Sequence, residues 1–207
     1  SSVNASTLWP TQLWRYGVST QITSTANGGN SWQSVPAPNT FQDVTLPGNR
    51  PGVWARETSS LVYDAAEPNA AKKWKLIWNT QLFSDPPIGE PEVIYVHSWV
   101  AFKEAATPEA LAAAPDQTLF VGTAYQSVND TQGNPTTSSP VGGPPQIRLQ
   151  TLHADMSECL FFYEPSLLSK PGALYASLTC VRSNPSLNFR VVILKHTTAL
   201  GWQYVGT

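Results

Sequence analysis

Charge is scarce in this chain. Asp, Glu, Lys and Arg make up 13% of its 207 residues, and a formal net charge of −2 leaves no basic excess to neutralise phosphates, so nucleic acid is not an expected partner. Long apolar runs are missing as well, so no membrane-spanning helix and no membrane partner are expected. No basic-then-apolar leader opens the chain, which is therefore read as a mature or trimmed form. Cysteine is confined to Cys159 and Cys180, a spacing foreign to zinc sites, and His97, His153 and His196 are scattered, so no metal is expected. There is no Gly-rich phosphate loop and no nucleophile elbow, and no cofactor is implied.

What the chain has in quantity is proline and aromatic rings: 18 Pro, 8 Trp, 7 Tyr and 7 Phe in a sequence that is 41% hydrophobic. That composition belongs to a folded protein. Before Arg50 the only charged side chains are Arg15 and Asp43, while Ser, Thr, Asn and Gln supply the polarity. This style, with the sequons Asn4-Ala5-Ser6 and Asn129-Asp130-Thr131, points to a secreted, extracellular or periplasmic protein. A turn centred on residues 170–173 would set Cys180 opposite Tyr163, four residues from Cys159. A bulge could then bring the two within the roughly 4.4–6.8 Å Cα separation of a disulfide. The bridge and a pair of buried free thiols both remain open on the sequence.

An internal repeat organises the rest. The first copy runs through Arg56–Asp64, Lys73–Asn79 and Val93–Ser98; the second runs through Tyr163–Leu168, Ala173–Thr179 and Phe189–His196 and closes on Trp202. Trp74, Leu76 and Trp78 alternate with Lys75, Ile77 and Asn79, the period of a strand. Thr107-Pro108-Glu109 reads as a helix start ended by Pro115, and 118–123 as an outer strand. A repeat of about four strands is the mark of a propeller blade. The expected fold is all-β, built of four-stranded antiparallel propeller blades in an incomplete ring. Residues 1–53 would hold a partial blade and a surface connection, 54–125 a blade, 126–157 a loop or linker, and 158–207 a second blade. Two copies cannot close a ring, which implies either a missing remainder of the propeller or a homo-oligomer.

The strand openings resemble those of the five-bladed propeller glycoside hydrolases, the group of arabinanases, xylosidases and invertases. Arg56-Glu57-Thr58 is similar to the family's Arg-Asp-Pro, and Tyr163-Glu164-Pro165 to its Glu-Gly-Pro or Glu-Cys-Pro. The phrase from Lys195 to Gly206 resembles the close of a blade. The resemblance covers about residues 54–207. It departs in having Glu57 for Asp and Thr58 for Pro, and in lacking the first-blade aspartate strand that carries the family's nucleophile or base.

The resemblance implies a hydrolase acting on poly- or oligosaccharide, with glycan as the partner. Such chemistry needs one carboxylic acid to protonate the leaving oxygen and a second carboxylate opposite. Family position makes Glu164 the acid, its pKa raised by Phe162 and Tyr163, and Glu57 the carboxylate that orients substrate, kept ionised by Arg56. Both would face a common central hollow. Trp54, Trp78, Trp99 and His97 join Arg56 as the expected substrate-binding set, since sugar faces stack on flat rings. The competing reading is structural: glutamates pairing with arginines or capping amides, aromatics wedged as core, and His97 and His196 packed at equivalent places. A non-catalytic carbohydrate-binding module and an interaction half-ring are the functional rivals.

Overall fold

The computed structural model describes residues 2–3, 16–17, 20–46, 49–84, 98–125, 147–182 and 189–207. Among these residues there are strands and short 3-10 turns but no α-helix, so the chain is all-β. The strands are β1 (Ser2–Val3), β2 (Tyr16–Gly17), β3 (Ile22–Ser24), β4 (Gln33–Val35), β5 (Gln42–Leu46), β6 (Arg50–Tyr63), β7 (Trp74–Ser84), β8 (Ser98–Ala105), β9 (Gln117–Val121), β10 (Ile147–Arg148), β11 (Cys159–Lys170), β12 (Ala173–Arg182), β13 (Arg190–Thr197) and β14 (Gly201–Gly206). Two sheets dominate. The first has six strands in the order β10-β9-β8-β7-β6-β5, antiparallel except where β10 joins β9, and the second is the antiparallel meander β11-β12-β13-β14. The described strands form no closed ring. No described helix is long and apolar enough to cross a membrane.

The period-two pattern of β7 decides how the first sheet is buried. Leu76 and Trp78 enter one core cluster, with Trp54, Trp99 and Leu111, while Ile77 points the other way into a second cluster. That second cluster is the joint between the sheets: Ile77, Val100, Phe102 and Phe120 of the first meet Phe162, Leu174, Leu178 and Val192 of the second. Each such leucine or phenylalanine contributes about 1.5–3 kcal/mol when fully buried. The first sheet is thus covered on both faces. The second is covered on one, and its outer face leaves Leu168 53%, Val191 52% and Val205 55% exposed.

Beside one another, the leading strands β6 and β11 run in the same direction. Leu167 N donates to Ser60 Oγ at 3.0 Å, and Ser169 Oγ donates to Asp64 Oδ1 at 3.4 Å. The chain leaving β9 is laid against the start of β11, where Thr123 N and Ala124 N donate to the carbonyls of Cys159 and Leu160 at 2.9 and 3.0 Å. Glycine is required there: a Cβ on Gly122 would stand 2.2 Å from the Leu160 oxygen.

Several expectations change at this level. Residues 39–52 do not form a plain surface connection, because Gln42–Leu46 pairs with Arg50–Trp54 across a turn in which Asn49 takes φ 58°. Thr107 does accept from Ala110 N at 3.3 Å, but the segment makes only a 3-10 turn, Glu109–Ala112, with Leu111 as its one buried residue. So short a segment cannot offset helix nucleation. The Asn27-Gly28-Gly29-Asn30 segment lies in the connection that joins β3 to β4. The two sequons and the stretch 126–146 lie outside the described residues.

Candidate functional site

Both sheets carry the same irregularity at the same place. In β6 the pairing with β7 runs Glu57↔Asn79 and resumes at Ser60↔Ile77, so Thr58 and Ser59 oppose Trp78 alone. In β11 the pairing with β12 runs Tyr163↔Thr179 and resumes at Ser166↔Ser177, so Glu164 and Pro165 oppose Leu178 alone. The first residue of each bulge is left-handed without being glycine: Thr58 at φ 46° and Glu164 at φ 52°. An L-residue held there costs on the order of 1–2 kcal/mol, and such strain gathers at functional sites. Bulges also re-aim side chains at strand edges. The register shows that Glu57 corresponds to Tyr163, and Glu164 to Thr58, so the two glutamates sit one position out of step.

Their environments differ accordingly. Glu57 lies across from Asn79 and Val100, on the face of the first sheet that meets the second. Asn79, with its amide oriented to satisfy both ends, donates to the Phe162 carbonyl at 3.0 Å, which ties this level of β7 to the strand that carries Glu164. Burial pushes the Glu57 carboxyl above its ordinary 4.5, and no charged neighbour or hydrogen bond among the described residues offsets it. Glu164 is exposed and accepts from Thr179 Oγ1 at 3.1 Å. Next to it, burial first and the Glu164 charge second raise the Tyr163 phenol above its usual range.

Arg56 does not serve Glu57. Adjacent strand residues point to opposite faces, and Arg56 faces the other core, where its Nη2 lies 3.9 Å from Asp116 Oδ2. Lys103 Nζ completes that buried group, 3.0 Å from Asp116 Oδ1 and donating to the carbonyls of Pro38 and Leu111 at 2.5 and 3.2 Å. Burial outweighs both cations in raising the Asp116 pKa. Trp54, Trp78 and Trp99 are not stacking platforms either: they are 0%, 0% and 1% exposed, and Trp54 and Trp99 pack with centroids 4.8 Å apart. His97 lies outside the described residues.

The cysteines are joined. Cys159 and Cys180 form a disulfide with a Cα separation of 5.4 Å. Cys180 stands opposite Phe162 rather than Tyr163, because the bulge at 163–166 shifts the register by one, and a second shift at 159–161 sets Cys159 opposite Arg182.

Two cavities among the described residues lie away from both Glu57 and Glu164, neither of which lines them. One, of about 450 Å³, is a shallow space by Tyr63, Ser169 and Pro171. The other, of about 380 Å³, opens at the seam of the two sheets, lined by Lys75 and Glu104 from one side and His196 and Trp202 from the other. In the sequence, the signal for this group is a lysine, Lys75, set within an apolar strand. The described residues contain no cluster of three metal-ligating side chains. No protein-family model, curated protein or solved structure matches the chain.

Proposed function

We propose that this protein acts on glycans as a hydrolase, with Glu57 as the proton donor and Glu164 as the second carboxyl of the pair. The observation that carries the reading is the pair of strained, register-equivalent bulges on neighbouring strands that run in one direction. Each bulge has a carboxyl beside it or within it, and the two lie in unlike surroundings, one half-buried and held toward its protonated form, the other open to water. Unlike environments are what separate an acid from a base in two-carboxylate chemistry. This reverses the roles that family position alone assigns.

The same reading takes the sheets as propeller blades. The face of the second sheet that carries Tyr163, Ser177 and Thr179 corresponds, by register, to the face of the first that carries Glu57, Ile77 and Asn79 and is covered by the second. One more packing step of the same kind would cover the exposed Leu168 and Val191.

A non-catalytic carbohydrate-binding module is the second reading, favoured by the offset of one position that keeps Glu57 and Glu164 from equivalent places in the two sheets. Incubation with arabinan, xylan, inulin and levan, followed by new reducing ends, separates the two. Hydrolysis should fall at least about 100-fold in both Glu57→Gln and Glu164→Gln while thermal unfolding stays cooperative. Retention on a polysaccharide without any release selects the binding module. Neither release nor retention on any of the four ends both readings.

A further inference from the structure

The seam cavity lies away from the bulges, at the far end of the joint between the sheets. Its polar wall is built on Lys75, whose side chain is 3% exposed and whose Nζ sits 3.0 Å from Glu67 Oε2 and 2.7 Å from Glu104 Oε2. Lys72 Nζ adds a contact of 3.1 Å to Glu104 Oε1, and Asn69 N donates to Glu67 Oε1 at 3.0 Å. These ions are held in place by one another, so a guest would meet a fixed set of donors and acceptors. Across from them stand His196 and Trp202, ring centroids 5.2 Å apart, with Trp202 braced edge-on against Phe120 at 5.0 Å. Phe102, Leu119 and Leu174 supply the apolar floor.

The charges cancel. Two carboxylates face two ammonium groups, and burial together with nearby Lys75 lowers the His196 pKa below 6.5, despite the opposing pull of Asp64, Glu67 and Glu104, so the imidazole is neutral at neutral pH. An anion or a cation entering this space would meet attraction and repulsion of similar size. A neutral molecule whose hydroxyls both donate and accept, and which has a CH face for the rings, meets only complementary groups. The volume of about 380 Å³ is at the lower end of small-molecule sites.

We propose that the seam cavity binds a neutral, polyhydroxylated molecule of monosaccharide size, held between the Trp202 and Phe102 rings and the fixed wall of Lys75 and Glu104. Because its walls come from both sheets, the guest also fastens one to the other. The site is separate from Glu57 and Glu164, and the proposal goes beyond the hydrolase reading without resting on it.

The test is a titration of the whole protein with glucose, galactose, xylose, arabinose and inositol, followed by tryptophan fluorescence and by the His196 ring signals in NMR. Glucuronate and glucosamine serve as charged counterparts. A saturable millimolar response to at least one neutral compound is expected, weakened about tenfold or more for the charged pair and in Trp202→Ala. His196→Gln, a milder change, should weaken it likewise and covers the case in which Trp202→Ala fails to fold. No saturable response to any neutral compound overturns the proposal, as does a response that survives both substitutions or treats charged and neutral sugars alike. Binding here by a protein that cleaves nothing keeps the seam site and removes the hydrolase reading instead.

Discussion

The two sheets share one register plan and solve the burial problem differently. In the first, both faces are covered, and three fully buried tryptophans stand beside the buried cations Arg56 and Lys103 and their partly buried partner Asp116. In the second, one face is covered, with Phe162 among smaller side chains such as Ala176, Leu178 and Val192, the other is open, and a disulfide ties the outer end of its first hairpin. The lesson is that a repeated strand pattern fixes pairing and bulges, while the stabilising chemistry follows how many faces each copy has to bury. Large aromatics and paired charges suit the enclosed sheet. A covalent bond supports the half-open one.

Breaking the enclosed sheet should have the largest effect. Asp116→Asn removes the counter-charge that Lys103 and Arg56 share in the core, and chemical denaturation should report a loss of about 3–5 kcal/mol. Next comes the half-open sheet. Replacing Cys159 and Cys180 together by serine frees a 21-residue separation in the unfolded chain, and the same measurement should show a loss of about 3 kcal/mol. The contrast between faces sharpens within a single strand: Val192→Ala, on the covered side, should cost about 2 kcal/mol, and Val191→Ala, on the open side, less than about 0.5 kcal/mol. Equal losses at 191 and 192 would mean that the outer face is covered in solution.

Much of this plan was legible in the sequence. Alternation in β7 and the repeated aromatic strands gave the all-β class and the second meander, because period-two burial leaves a direct trace in residue order. The position of the cysteines was legible too, but the register was not, since a bulge adds a residue with no letter to mark it. The same extra residue hid the relation of the glutamates: similar motifs placed Glu57 and Glu164 together, whereas pairing puts Glu57 level with Tyr163. Arg56 and Glu57 looked like partners because they are neighbours, although neighbours on a strand face apart. The tryptophans were ambiguous for a different reason. A ring that can stack on sugar is equally a ring that fills a core, and only its neighbours decide.

The account turns on one carboxyl. Glu57 is held in a half-buried position with no charged partner among the described residues, so its proton should leave late. A side-chain carboxyl titration by carbon-detected NMR, assigned with Glu57→Gln, measures this directly. A midpoint above 4.5 is the predicted result. A midpoint at or below 4.5 would show a solvated or paired carboxylate and contradict its assignment as the proton donor.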